Sequence, residues 1–366
     1  MTLQECTKED RIFMNRNNNF GIIHFLAALG VMFAHQFEFM GFEQPRIILM
    51  ELGAFSVRMI MVIVGYLITE SWQNSKSTEE YILKRIRRIF PPLALSVVVT
   101  VALIGVLCST GSFLEYLDSA QAYVFYNVCL YPIFNIPGIF ADNFYPNAVN
   151  GSLWTLPIEF ACYFLLIVLM KVYDVLGKYG KVFYTILLGA MWVIYVLQIT
   201  PHMPGSYVVW GTDWFNSVQI AVYFFAGSLI SKLKLQKYLK IWVAALLFGG
   251  AVLLSKTEGL FYDYLLAISY LPVITYVTMA LALPKKAWFS KFKGKLSYEI
   301  YLYAFPIQQI LVQLLMIRGG KTYSVAVMFG MAFVVTLVIS WLSSKVIQFL
   351  SEGKYLFVAG KTKKLS

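Results

Sequence analysis

The residues best suited to chemistry are ionisable side chains inside apolar stretches. His35, Arg58 and Glu159 each lie about five to seven residues inside one end of such a stretch, at a depth of roughly 7–11 Å if the stretch is helical. A carboxylate that accepts a hydrogen bond from one imidazole nitrogen fixes the tautomer and leaves the other nitrogen as a base. The pattern indicates either a catalytic His35 oriented by Glu159, or a structural Arg58–Glu159 salt bridge. In the first case Arg58 balances Glu159 or binds a substrate anion.

A second group of candidates is basic and lies towards the other membrane face. His24 precedes His35 by eleven residues, which places both on one helix face about 16 Å apart. This spacing indicates a polar track, or an ordinary interfacial histidine. Arg85 and Arg88 are three residues apart and share a face. They form either a phosphate clamp, since Arg binds phosphate oxygens bidentately, or a basic anchor at the membrane edge.

The elements that position these residues are predicted to be membrane helices. The chain is 59% hydrophobic and 13% charged, with a mean hydropathy of +0.68, whereas about a quarter of a soluble domain is charged. A soluble fold is therefore excluded, and 17% aromatic residues exclude disorder. The predicted fold is an all-α, polytopic transmembrane bundle of about ten spans. The spans are roughly 20–40, 52–73, 89–108, 152–172, 182–199, 214–231, 241–255, 262–283, 297–317 and 323–350.

The distribution of basic residues predicts the orientation. With a cytoplasmic N-terminus, all but five of the 30 Lys and Arg residues fall on the cytoplasmic side, as the positive-inside rule requires. The net charge of +11 then reflects topology and contact with anionic membrane lipid, and nucleic acid is not an expected partner. We expect a cytoplasmic segment 1–19, a membrane domain 20–350 and a basic cytoplasmic tail 351–366, in the inner (plasma) membrane. Segment 109–150 has room for an additional interfacial or re-entrant helix.

The four cysteines are not spaced as metal ligands, so no metal is expected. Cys108 and Cys129 are both predicted near the outer face, where a disulfide is one alternative.

Five strings resemble acyltransferase family 3, the bacterial integral membrane acyltransferases, many of which O-acetylate cell-surface or secreted sugars. The strings are NNNFGIIHFLAALGVMFAH (17–35), GAFSVRMIMVIVGYLITESW (53–72), YILKRIRRIFPP (81–92), YPNAVNGSLWTLPIEF (145–160) and LSYEIYLYAFPIQQIL (296–311). They occur in the order of the family and cover nearly the whole chain. The string from Asn150 to Glu159 is the most specific of them.

The resemblance implies roles for the matched positions. It makes His35 the catalytic base or transient acyl carrier, Glu159 the signature acid, and Arg85 and Arg88 the groups that handle acyl-CoA. His24 joins this donor site. The expected function is transfer of an acyl group, most simply acetyl from cytoplasmic acetyl-CoA, to a hydroxyl of a surface or lipid-linked glycan.

Three residues at the outer mouth complete the predicted acceptor site beside Arg58. Asn150, Ser152 and Trp154 shape this site, or else cap span 4 and anchor it at the interface.

The sequence departs from the family pattern at five positions. His24 replaces a basic Arg or Lys, Arg58 replaces an Asp, and Val64 replaces a Ser. Ile60 and Met61 replace a pair of Phe residues. These changes leave two alternatives to acyl transfer. One is a transporter or flippase for a glycan or small anion, and the other is a catalytically drifted family member with a binding role.

Overall fold

The computed structural model describes residues 18–109, 112–199 and 207–362, with side chains for all of these except 113 and 352–362. As predicted, the described chain is predominantly helical, with almost no sheet. The predicted segment 1–19 lies outside the described residues except for Asn18 and Asn19, and so do residues 363–366 of the tail. The helices are α1 (Phe20–Glu38), α2 (Leu52–Gln73), α3 (Thr78–Leu107), α4 (Phe113–Val128), α5 (Thr155–Leu176), α6 (Gly180–Ile199), α7 (Trp214–Lys232), α8 (Ile241–Leu254), α9 (Leu260–Ala282), α10 (Ser297–Leu311) and α11 (Val325–Thr362).

The described chain also contains two antiparallel β-hairpins, each made of two strands of two residues. One joins β1 (Arg46–Ile47) to β2 (Met50–Glu51), and the other joins β3 (Val208–Val209) to β4 (Thr212–Asp213). Short 3-10 turns lie at Gly151–Trp154, Gly177–Tyr179 and Leu235–Tyr238, and α10 continues as a π-helical segment, Val312–Ile317.

Seven helical stretches of the described chain are long and apolar enough to cross a bilayer, which makes the chain a multi-pass membrane protein. One of them, Gly151–Ile199, contains both α5 and α6, which are joined by a 3-10 turn. The 14-residue α8 is about 21 Å long, short of a hydrocarbon core of about 30 Å. The stretches are Phe20–Glu38, Leu52–Gln73, Thr78–Leu107, Gly151–Ile199, Leu260–Ala282, Ser297–Ile317 and Val325–Ser351.

Helix α3 begins earlier than the predicted span 89–108. It has 30 residues, starts at Thr78 and continues through Pro91 and Pro92. A helix of this length measures about 45 Å, which exceeds the hydrocarbon thickness. Its charged first turns therefore have room to lie outside the hydrocarbon core. The additional helix expected in segment 109–150 is present as α4.

The chain divides into two compact units. The first unit comprises residues up to Ala34, Glu43–Arg85 and Trp154–Lys295; the second comprises His35–Phe42, Ile86–Leu153 and residues from Leu296 onward. Cys162 belongs to the first unit, and Cys108 and Cys129 to the second; all three are free thiols, so the disulfide alternative is not realised.

The first unit is organised around the closely packed pair α2 and α7. A Cβ atom added to Gly65 would lie 1.9 Å from the carbonyl oxygen of Phe224, and one added to Gly227 would lie 2.0 Å from that of Val62. Such small residues allow two membrane helices to bring their backbones into contact. One turn further along, the Thr69 hydroxyl donates to the Ser228 hydroxyl at 2.6 Å.

The second unit is organised around α10, which packs against α11. Tyr303 donates a hydrogen bond to Ser343 across this pair, at 3.1 Å. The apolar core of the unit combines buried residues of several segments, with Phe305 among them. Its buried members are Phe39, Met40, Ala148, Phe305, Val312 and Met328.

We expect Gly227→Ala to destabilise the protein, because the added methyl group meets a backbone oxygen that no rotamer change can move. Overpacking of this kind costs about 1–3 kcal/mol of unfolding free energy, so the thermal unfolding midpoint in detergent should fall by several degrees. The control is Gly189→Ala on α6, where a Cβ atom meets nothing within 4 Å and helix propensity improves. Equal midpoints for the two variants would contradict the proposed backbone contact.

Candidate functional site

His35 lies in the last turn of α1 and belongs to an aromatic cluster of the second unit. Its half-buried imidazole ring stacks on Phe39 at 5.7 Å and meets the edge of Phe305 at 5.1 Å between ring centroids. Phe39 and Phe305 contact each other at 4.6 Å, and Tyr145 closes the cluster against both. These rings fix the position of the imidazole from two sides.

Tyr145 is the second polar group of this cluster. Burial raises the pKa of its hydroxyl above the usual value, and the negative charge of Glu38 adds to this rise. The hydroxyl of Tyr145 is therefore protonated at neutral pH and can donate a hydrogen bond.

The string Asn150–Ser152 is hydrogen-bonded to α10 at a carbonyl group that a proline leaves free. Pro306 has no backbone N–H, so the carbonyl group of Leu302 lacks its usual helical donor. The side-chain amide of Asn150 donates to this carbonyl at 2.9 Å, while its oxygen accepts from the Ser152 backbone N–H at 3.1 Å. Asn150 thus both caps the following turn and repairs α10.

Gly151 brings the same string against the aromatic cluster. A Cβ atom at Gly151 would lie 2.7 Å from the ring of Phe305, so any larger residue would have to displace that ring. Since Phe305 also contacts His35, the structure joins the catalytic candidate to the acceptor candidates Asn150 and Ser152 through one ring. Both side chains are buried, as caps and packing groups are. Asn150 therefore caps the 3-10 turn that precedes α5, and its role in binding substrate stays a prediction.

Two neighbouring glutamines on α10 fix the surroundings of this cluster. Gln309 donates to the carbonyl groups of Tyr145 and Ala148, at 2.7 and 3.0 Å, and so holds the loop before Asn150. Gln308 donates to Gln36, the residue after His35, at 2.9 Å. Both glutamines are fully buried. Amide pairs of this kind stabilise membrane helix contacts because the apolar surroundings offer few other partners.

Glu159 and Arg85 are brought together in the first unit by Tyr163. The Tyr163 hydroxyl donates to the half-buried carboxylate of Glu159, one helical turn away. The Arg85 guanidinium lies over the rings of Tyr163 and Tyr81, at 5.9 and 5.6 Å, and donates to the Ser71 hydroxyl at 3.0 Å. A narrow crevice lies beside them. It is lined by Tyr81, Ile82, Arg85, Phe160, Tyr163, Phe164 and Ile167.

The remaining donor-site candidates have different settings. Arg88 is half-buried in α3, and its charge acts on the buried Glu299 of α10, within the second unit. His24 is half-buried in the first turns of α1, which pack against the segment around Phe292. Trp154 is half-buried at the start of α5. The predicted roles of these three residues stay predictions.

Arg58 is buried in α2 and does not form the alternative salt bridge with Glu159. Its guanidinium donates to the Ala54 carbonyl at 3.0 Å and to Gln219 on α7 at 2.9 Å. It also lies over the rings of Tyr195 and Tyr223.

Sequence reasoning missed Phe305, Tyr163 and Gln36. Tyr163 carried a readable signal, because it lies four residues after Glu159 and therefore on the same helix face. Gln36 also carried one, as a polar residue beside His35 in an apolar span. Phe305 carried none, since its contact with His35 depends on how two distant helices pack.

The chain resembles known proteins over most of its length. A family described as an acyltransferase domain matches residues 17–345. The chain is 28% identical to an O-acetyl transferase of Shigella phage Sf6 over 311 residues, which is 82% of this chain and 88% of the phage protein. It is also 28% identical to nodulation protein 10 of Rhizobium leguminosarum bv. viciae over 186 residues, which is 48% of this chain and 50% of that protein. No solved structure matches the chain.

Removing the side-chain amide of Asn150 should lower the unfolding free energy only while Pro306 is present. Asn150→Ala leaves the buried Leu302 carbonyl without a donor, which costs about 1–3 kcal/mol of unfolding free energy. Pro306→Ala restores a backbone N–H at the position that serves this carbonyl. In the Pro306→Ala background the cost of Asn150→Ala should therefore fall by about 1 kcal/mol or more.

Denaturant titration in mixed micelles measures this cycle. Pro272→Ala on α9 is the matched control, since removing that proline should leave the cost of Asn150→Ala unchanged. Additive effects of Asn150→Ala and Pro306→Ala would show that the two residues do not serve the same carbonyl group.

Proposed function

The chain belongs to the acyltransferase 3 family, and on this premise we propose that it transfers acetyl from cytoplasmic acetyl-CoA to a hydroxyl group of a glycan. The observation that carries the proposal is the contact of Phe305 with both His35 and the Asn150–Ser152 string. The similarity to a phage O-acetyl transferase supports acetyl as the transferred group. A cell-surface or lipid-linked glycan as acceptor follows from the resemblance of the motifs to family members that act on sugars.

The reaction forms an ester and breaks a thioester. An imidazole nitrogen of His35 takes the proton of the acceptor hydroxyl as its oxygen attacks the acetyl carbonyl carbon. The tetrahedral intermediate expels the coenzyme A thiolate, which receives the proton from the imidazolium. Alternatively, His35 accepts the acetyl group first and passes it to the hydroxyl. Glu159, hydrogen-bonded to Tyr163, is the acid proposed to orient the His35 imidazole or to balance its positive charge.

The donor site is proposed at the charged start of α3. The guanidinium groups of Arg85 and Arg88 suit the phosphates of coenzyme A, and His24 extends the polar path towards His35. Asn150, Ser152, Trp154 and Arg58 are the proposed acceptor contacts. We further propose ten spans, counting α5 and α6 separately and including α7 and α8, with both termini cytoplasmic in the inner membrane.

His35→Ala should lower acetyl transfer by about 10²–10⁴-fold, because it removes the general base. The assay is transfer of radiolabelled acetyl from acetyl-CoA to glycan in membranes, with Leu26→Ala on the exposed face of α1 as control. Full activity of His35→Ala would overturn the mechanism. Absence of transfer by the unaltered chain would favour transport or a drifted, binding function. Label on His35 without acceptor would identify the carrier route.

Arg85→Gln and Arg88→Gln should each raise the KM for acetyl-CoA about tenfold or more, with a smaller effect on kcat, because each removes a charge-assisted hydrogen bond to phosphate. Arg87→Gln is the control, since Arg87 is exposed on the same helix. Unchanged KM values in both variants would remove these residues from the donor site. Dephospho-acetyl-CoA as substrate tests whether either arginine contacts the 3′-phosphate.

A further inference from the structure

Arg58 is a buried cation without a carboxylate partner. Its side chain is 7% exposed, and it forms no ion pair with any Asp or Glu of the described residues. Its Nη1 and Nη2 atoms donate to Ala54 and Gln219, whereas Nε has no hydrogen-bond partner within the described chain. A charged group in an apolar membrane interior is costly unless it is paired. The structure therefore leaves one negative charge to be supplied.

The groups around Arg58 are suited to hold an oxyanion. The guanidinium carbon lies 5.9 Å from the ring centre of Tyr195 and 5.6 Å from that of Tyr223, and both tyrosines are fully buried. The Tyr223 hydroxyl donates to the Tyr195 hydroxyl at 3.1 Å, and the hydrogen of Tyr195 has no acceptor among the described residues. The Nε–H of Arg58 and this O–H are thus two donors in one cluster that have no acceptor among the described residues.

The cluster lies near a surface of the first unit. Arg58 is six residues, or about 9 Å, from the start of α2, where the β1–β2 hairpin ends. The charge of Arg58 acts on Tyr270. The Tyr270 hydroxyl donates to the carbonyl of Ile48 in the hairpin turn, at 2.9 Å. Gln219 and Tyr270 are both half-buried, so the side of the cluster that they form is partly exposed.

We propose that Arg58, Tyr195, Tyr223 and Gln219 form a binding site for a single oxyanion group, a carboxylate or a phosphate. Guanidinium groups bind such oxyanions with strong, directional hydrogen bonds. Two sources carry this chemistry: the carboxylate of an acidic sugar, and the phosphate of a phospholipid or lipid-linked sugar. Only the identification of the ligand as an acceptor rests on the proposed function, because binding of the oxyanion does not require acyl transfer.

The test measures ligand-induced stabilisation of the full chain in nanodiscs of phosphatidylcholine. The probes are methyl glucuronide, glycerol 3-phosphate, neutral methyl glucoside and discs containing phosphatidylglycerol. An oxyanion that binds the folded protein raises the unfolding midpoint in a saturable way, and the glucoside does not. A response to the glucuronide alone identifies a sugar carboxylate, whereas responses to glycerol 3-phosphate or phosphatidylglycerol identify a phosphate.

Two variants make the result specific to Arg58. Arg58→Gln should weaken the apparent affinity at least about tenfold, since it removes charge-assisted hydrogen bonds. Gln219→Glu keeps the guanidinium and places a carboxylate within its hydrogen-bond distance. It should raise the midpoint without ligand and abolish the response to oxyanions, and it serves as the test if Arg58→Gln does not fold.

Three results of the measurements above would overturn the proposal. The first is no greater stabilisation by any oxyanion than by methyl glucoside, the second is an oxyanion response that survives in Arg58→Gln, and the third is a lower midpoint for Gln219→Glu. A large loss of stability in Tyr195→Phe without any anion effect would also overturn it, because a tyrosine would then supply the missing charge. None of these measurements involves acetyl transfer, so failure here is distinguishable from failure of the proposed activity.

Discussion

A single backbone carbonyl group, that of Leu302, sets the arrangement of the second unit. Buried backbone groups in an apolar environment must be hydrogen-bonded within the protein, and Pro306 withholds the donor that a regular helix would supply. Asn150 replaces that donor from a distant part of the chain. This requirement fixes Asn150 beside α10 and Gly151 against Phe305, and it thereby defines one wall of the aromatic cluster around His35. The residues with the most direct claim to chemistry thus depend on the repair of a helix.

Two buried arginines of the first unit, Arg58 and Arg85, are each accommodated by a pair of tyrosine rings. Arg85 lies over Tyr81 and Tyr163, and Arg58 lies over Tyr195 and Tyr223. Aromatic faces attract a cation and remain apolar, so a guanidinium can be buried at reduced cost. The two sites differ in their neighbours: Tyr163, whose ring lies beside Arg85, donates to Glu159, whereas among the described residues the hydroxyls of the tyrosines at Arg58 contact only each other and Arg58. The same aromatic framework therefore serves one arginine that has a carboxylate nearby and one that has none among the described residues.

The helical class, the helix positions and the candidate histidine and carboxylate were accessible from sequence, because each depends on composition or on spacing within one segment. The partners of those residues were not. Gln219 reaches Arg58 from a helix about 160 positions away, and no period in the sequence encodes that contact. The Arg58–Glu159 salt bridge was wrong for the same reason, since equal depth in a membrane does not specify neighbouring faces. Pro306 did carry a readable signal, because a proline inside an apolar helix always leaves an open carbonyl four residues earlier.

The backbone contact between α2 and α7 also bears on how lipid reaches the protein. Gly65 lies near the middle of α2, and at that level the backbones leave no space for even one methyl group. An acyl or polyprenyl chain is far wider than that gap, so this seam is closed to lipid at its centre. Any lipid tail that enters the first unit must therefore follow a different seam.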